Sequence, residues 1–142
     1  MKHLVRCLGL AAGCVVASAA QAATDGSEPV ICALVEITEC IPDGGCERVS
    51  AQSIGAPRFF RINFAEGQIT RTRPEGEEIT SPIERTEEVD GKLILQGAED
   101  GFEGEPDGIG WSLSIDQSSG DMVLTGSGDG VAFVMFGACT DF

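Results

Sequence analysis

The chain contains one histidine and no tyrosine, and that histidine, His3, lies in an N-terminal segment that we expect to be removed. Without imidazole, neither a Ser-His-Asp or Cys-His catalytic arrangement nor a histidine-ligated zinc has the residues that it needs. No glycine-rich loop links a strand pattern to a helix pattern, so nucleotide binding has no support either. A pair of carboxylates is the remaining catalytic alternative, but 23 acidic residues give close pairs by chance. These absences predict a protein that is not an enzyme and uses no cofactor.

Basic residues are also scarce. Nine Lys and Arg face 23 Asp and Glu, which gives a formal net charge of −14. A surface of this charge repels phosphate backbones and anionic lipid headgroups, so nucleic acid is excluded as a partner. A basic protein is the partner that such a surface favours, although simple solvation also accounts for excess charge.

Long apolar runs are missing after residue 22, so the sequence predicts no transmembrane segment. The first 22 residues have the three parts of a signal peptide, namely a basic start with Lys2, His3 and Arg6, an apolar run over 8–17, and a small-x-small site at Ala20 to Ala22. We therefore expect residues 1–22 to be a signal peptide and residues 23–142 to be one periplasmic or secreted domain. The alternatives are a membrane anchor, for which the run is shorter than the roughly 20 apolar residues needed, and a lipoprotein with its lipid at Cys14.

Four cysteines follow that segment: Cys32, Cys40, Cys46 and Cys139. An even number in a small exported domain indicates two disulfides, and four cysteines allow three pairings. We favour Cys40 with Cys46 across a Pro- and Gly-containing loop, and Cys32 with Cys139 between the first and last strands. A metal site of four thiolates is the competing interpretation, but paired C-x-x-C units are absent.

Alternation of apolar and polar residues predicts an all-β fold. Trp111, Leu113 and Ile115 alternate with serines and an aspartate, a period of two that is typical of a half-buried strand. About eight strands are predicted, at 30–37, 59–64, 68–73, 77–81, 83–89, 92–98, 109–116 and 121–136, the last as a hairpin. Short connections favour a small antiparallel up-and-down β-barrel, closed or nearly closed, with a two-sheet sandwich as the alternative.

Two arginines are candidate ligand-binding residues. If Glu66-Gly67 forms a two-residue turn, Arg71 and Arg73 share the apolar face with Phe60 and would hold a small acidic ligand by bidentate hydrogen bonds. The alternatives are that they reach solvent at the rim or pair with a carboxylate such as Glu84.

An acidic, glycine-rich loop over 99–110 is a candidate metal site. Glu103, Glu105 and Asp107 alternate and precede a glycine, as in the start of a calcium loop. The position that requires a terminal glutamate is Ser114, and a strand pattern follows, so a solvated loop is the alternative.

The last third resembles a group of small exported bacterial β-proteins of unassigned activity. The likeness lies in the stretch GWSLSID at 110–116 and in FGACT at 136–140. A looser resemblance to lipocalin-like and periplasmic inhibitor barrels implies the same fold, and neither resemblance implies site residues. We hypothesise a non-catalytic binding module for a small ligand or a basic protein; the alternative is a structural or envelope-stress protein without a discrete pocket.

Overall fold

The structure is a computed structural model that describes residues 24–72, 76–100 and 108–142. These residues form a ten-stranded antiparallel sheet. The strands are β1 (Val30–Ile41), β2 (Gly45–Val49), β3 (Phe59–Asn63), β4 (Gln68–Thr72), β5 (Glu78–Pro82), β6 (Arg85–Val89), β7 (Lys92–Glu99), β8 (Ile109–Asp116), β9 (Asp121–Gly128) and β10 (Val131–Asp141). One 3-10 turn, Gln52–Ile54, precedes β3.

The strand order confirms the predicted all-β, barrel-like fold. Strands are hydrogen-bonded in the order β5-β4-β3-β1-β10-β9-β8-β7-β6, and β2 pairs with the second half of β1. The two ends of this path, β5 and β6, are consecutive in the chain. Where they meet, the Ile83 N–H donates to the Gly67 carbonyl at 2.7 Å and the Glu84 N–H donates to the Gln96 carbonyl at 2.9 Å. The sheet therefore curls until its ends share one kinked segment, which we call the seam.

The first and last strands meet as predicted. Cys32 on β1 and Cys139 on β10 are directly opposite residues and form a disulfide, as do Cys40 and Cys46 on β1 and β2. A bulge at Val35 shifts the β1–β10 register. Both disulfides agree with the predicted pairing and are compatible with an oxidising compartment.

Two hairpins use the turn chemistry that the sequence indicates. Asp90 and Asp129 adopt positive φ angles of 48° and 51°, and each precedes a glycine that is also at positive φ. Two successive left-handed residues match the right-handed twist of the flanking strands, and Asp-Gly tolerates them best. These turns fix the β6–β7 and β9–β10 registers.

Two local predictions were wrong. The region from Cys40 to Cys46 is a hairpin with strands through both cysteines, not a loop, and the missed strand β2 contributes to ten strands in place of eight. The β3–β4 connection is a four-residue loop, so Phe60 lies opposite Arg71 instead of Arg73. Because a shift of two residues preserves the face of a strand, Arg71 still points inward.

Half of the barrel interior, which we call the closed end, is tightly packed. Its side chains are at most 4% exposed and are Val30, Cys32, Ile62, Leu93, Leu95, Leu113, Ile115, Met122 and Cys139. The chain before β1 covers it: the Thr24 N–H donates to the Gln117 carbonyl at 3.0 Å, and Gly26 lies against Leu93. Burial of these apolar side chains is the main stabilising contribution to the fold.

Within the described ranges, no helix has the length and apolar character needed to cross a membrane.

Candidate ligand cavity

The opposite half of the interior contains a cavity of about 230 Å³. Most of its surface is apolar, and it is partly open to solvent. Its lining comes from strands β1, β3, β4, β7, β8, β9 and β10 and one loop: Leu34, Ile54, Gly55, Ala56, Pro57, Phe60, Ile69, Arg71, Glu99, Ile109, Trp111, Leu124, Gly126, Phe133 and Met135. We call it the lumen cavity. A mainly apolar concavity with a few polar groups is typical of small-molecule sites.

One rim of the lumen cavity is the loop that contains the 3-10 turn. The turn ends at Gly55, whose φ of 66° reverses the chain, and the Ala56 N–H then donates to the Ala51 carbonyl at 2.9 Å. The Leu34 N–H donates to the Arg58 carbonyl at 3.0 Å and ties this loop to β1 beside the bulge. The rim is therefore held by backbone hydrogen bonds at both ends.

The polar part of the lining is an ion pair that spans the seam. Arg71 on β4 donates to a carboxylate oxygen of Glu99 on β7, and the hydroxyl of the buried Ser81 on β5 donates to the same oxygen. The Arg71 and Glu99 side chains are only 25% and 19% exposed. Since water screens such a pair less than a surface pair, removal of one partner would leave a poorly solvated charge beside the cavity.

Trp111, the only tryptophan in the chain, forms another part of the lining. Its ring lies on Gly97 of β7, where an added Cβ would overlap the indole and come within 2.6 Å of the Pro82 carbonyl oxygen. The indole Nε1 is buried and has no hydrogen-bond partner in the described part of the chain. An unpaired buried donor costs about 1 to 3 kcal/mol. Among the described residues, the buried hydrogen-bonding groups of the cavity wall are therefore less completely paired than those of the closed end.

Of the residues that the sequence singled out, Arg71 lines the lumen cavity, and its partner is Glu99 instead of the suggested Glu84. Arg73, Glu103, Glu105 and Asp107 lie outside the described residues. Among the residues that are described, no three His, Cys, Asp or Glu side chains come together as a metal site.

Glu99 is the cavity residue that the sequence analysis missed as a site residue. The alternation that places Leu93 and Leu95 inside the barrel continues through Gly97 to Glu99, so the period-2 pattern carried the signal. Glu99 was assigned to the acidic loop over 99–110, and this assignment obscured the period-2 signal.

A second polar cluster lies at the opposite end of the barrel, in the β8–β9 turn. The pKa of Asp116 is held far below its usual value, mainly by the Ser118 hydroxyl, then by Lys92 and by the backbone N–H groups of Ser118 and Ser119. Lys92 Nζ is 3.2 Å from Asp116 Oδ2. Every contact closes a turn or joins adjacent strands, which indicates a structural role.

The outer face carries exposed apolar side chains on four consecutive strands. Phe59 on β3, Val35 on β1, Phe136 on β10 and Val123 on β9 are 60%, 81%, 44% and 37% exposed. Phe136 and Val123 are direct cross-strand partners. We call these four residues the outer apolar patch.

No protein-family model matches this chain, and no curated protein matches it significantly. The resemblance to small exported β-proteins therefore stays a prediction, and arguments about function depend on the geometry alone.

Proposed function

We propose that this protein is a non-catalytic periplasmic or secreted binding module, and that it holds a small ligand in the lumen cavity. The observation that carries the proposal is an apolar cavity in the barrel interior whose wall includes a poorly solvated ion pair. A filled interior with outward-facing arginines would have favoured a purely structural protein. Arg71 instead faces the interior next to the cavity.

The position of the cavity in the fold supports this proposal. The closed end buries enough apolar surface to hold the sheet together, so the other end is free to retain open space. Cavities cost stability because the lining loses packing contacts, and an evolved core fills them unless the space is used. Regular strands surround most of the cavity, which keeps its shape before a ligand arrives.

The experiment is native mass spectrometry of protein isolated undenatured from its own host, together with two variants on neighbouring positions of β9. Leu124→Phe adds volume inside the lumen cavity, whereas Val123→Phe adds the same ring on the outer face. We expect extra mass that is lost on denaturation in wild type and in Val123→Phe, and bare protein in Leu124→Phe. Bare wild-type protein, or a ligand retained by Leu124→Phe, would contradict the proposal.

Binding of a basic protein is a second candidate function, and the outer apolar patch favours it. The patch lies on a chain of net charge −14, and Glu36 and Asp121 are on the same strands as two of its members, Val35 and Val123. Apolar contact within an acidic field is complementary to a basic protein surface.

Site-specific photo-crosslinking in the host tests this second function. A photoreactive residue at Phe136 lies in the patch, and one at Thr72, exposed on β4, is the matched control. We expect position 136 alone to capture a protein of basic isoelectric point. Equal capture at both positions, or capture of acidic proteins, would remove this candidate.

A further inference from the structure

We propose that the Arg71–Glu99 ion pair makes the lumen cavity selective for small uncharged ligands with an apolar body, and that it excludes organic acids and amines of the same size. This inference rests on the proposed function and names its ligand class. The neutral ligand class replaces the small acidic ligand that the sequence analysis expected Arg71 and Arg73 to bind.

The size of the lumen cavity limits the apolar body to a small molecule. A dry engineered cavity of about 150 Å³ in another protein binds benzene. At about 230 Å³, the lumen cavity has room for a single ring with a short substituent. Long acyl chains and multi-ring compounds would extend beyond this space. The wall that such a ring would contact includes the half-buried side chains of Leu34, Ile69 and Leu124.

Charge matching in the wall determines the selectivity. Arg71 is neutralised by Glu99, and Glu99 also accepts from Ser81, so the two charges are already compensated. A carboxylate ligand would have to displace Glu99 from Arg71 and leave a second carboxylate in a poorly solvated position. An ammonium ligand would compete with Arg71 in the same way. Uncompensated charge at such a site is costly, and a neutral ligand avoids this cost.

The same contacts make Arg71 and Glu99 specificity-determining residues. An ion pair that only joined the two sides of the seam would affect the stability of the barrel and would not distinguish ligands by charge. Replacement of one partner with a neutral side chain should instead change the net charge of the cavity wall by one unit. The preferred ligand should then carry the opposite charge.

The test compares three compounds with one ring and different charge: benzyl alcohol, phenylacetate and benzylamine. The fluorescence of Trp111, the single tryptophan in a chain without tyrosine, reports binding next to the cavity directly. For wild type at neutral pH, we expect benzyl alcohol to bind at least tenfold more tightly than either charged compound. Calorimetry provides a second measure of each dissociation constant.

Two single variants and their combination complete the test. In Glu99→Gln, which retains an acceptor for Ser81, phenylacetate should gain at least tenfold relative to benzyl alcohol. In Arg71→Met, benzylamine should gain by a similar factor, and the double variant should again prefer benzyl alcohol. Circular dichroism identifies any variant that fails to fold, and the remaining variants and wild type still decide the question.

The outcomes separate the two proposals. Binding of phenylacetate or benzylamine to wild type as tightly as benzyl alcohol would overturn the neutral selectivity and leave the cavity as a binding site. Unchanged ligand preference in folded Glu99→Gln and Arg71→Met would show that the pair only joins the seam, and would also overturn the inference. If none of the three compounds binds, the inferred ligand class fails, and the native mass spectra decide separately whether the cavity holds a ligand.

Discussion

The two ends of the barrel interior are built from the same strands but have different packing. Leu113 on β8 and Leu124 on β9 are direct cross-strand partners where the two ends meet; Leu113 is fully buried against the closed end, and Leu124 is half-buried on the lumen cavity. The closed end also contains a disulfide, whereas the other end contains an ion pair and an indole N–H that has no partner among the described residues. One end stabilises the fold, and the other retains the open space that the proposed function uses.

The largest expected effect tests the covalent link in the closed end. Replacement of Cys32 and Cys139 by alanine opens a cross-link with a sequence separation of 107 and should lower the free energy of unfolding by about 4 to 5 kcal/mol. The same change at Cys40 and Cys46, separated by six residues, should cost about 2 kcal/mol. Equilibrium unfolding in urea measures both. Equal losses would mean that loop length does not determine the contribution of these disulfides.

The next prediction compares the two leucines directly. Leu113→Ala should lower the free energy of unfolding by about 3 to 4 kcal/mol, because it opens a void among fully buried side chains. Leu124→Ala should cost about 1 to 2 kcal/mol, because its side chain already borders open space. Urea unfolding followed by circular dichroism gives both values. A loss at Leu124 as large as that at Leu113 would indicate that the two ends are packed alike.

A smaller effect is expected at the unpaired indole. Trp111→Phe keeps an aromatic ring on Gly97 and removes the buried Nε1, so the packing lost is offset by relief of an unsatisfied donor. The free energy of unfolding should change by less than about 1 kcal/mol, against the 3 to 5 kcal/mol usual for loss of a buried Trp side chain. A loss of several kcal/mol in thermal unfolding would contradict this balance between lost packing and the relieved donor.

The smallest effect concerns acid stability at the closed end. Because folding lowers the pKa of Asp116, its carboxylate stabilises the fold above the unfolded pKa of about 4, and this contribution is lost as pH falls through the lower folded pKa. Asp116→Asn should therefore be slightly less stable than wild type at pH 7, and the difference should narrow below about pH 4. Unfolding curves across pH 2 to 7 measure it. A difference that is constant with pH would contradict the assigned cause.

Much of the fold followed from patterns that act locally. Alternation at Trp111, Leu113 and Ile115 predicted β8 and its buried face, and the first and last strands join through Cys32 and Cys139 as predicted. The break between the predicted strands 77–81 and 83–89 is also present, although its role as the seam depends on hydrogen bonds to distant parts of the chain. Such long-range closure has no local signal.

The cavity could be predicted only in part. The face of Arg71 was correct although its register was not, because an error of two residues preserves the side of a strand. Its pairing with Glu99 joins positions 28 residues apart across the seam, and the sequence offered many carboxylates as partners. Free volume depends on how side chains from seven strands fit together, which periodicity does not encode.

The most direct test of the difference between the two ends is methyl NMR of the disulfide-intact protein during titration with benzyl alcohol. Leu34, Ile69, Ile109 and Leu124 report on the lumen cavity, and Ile62, Leu113 and Ile115 report on the closed end. We predict saturable shift changes that are confined to the first group. Changes in the closed end, changes on the outer face alone, or no change at all would contradict the account of a packed end that supports a binding end.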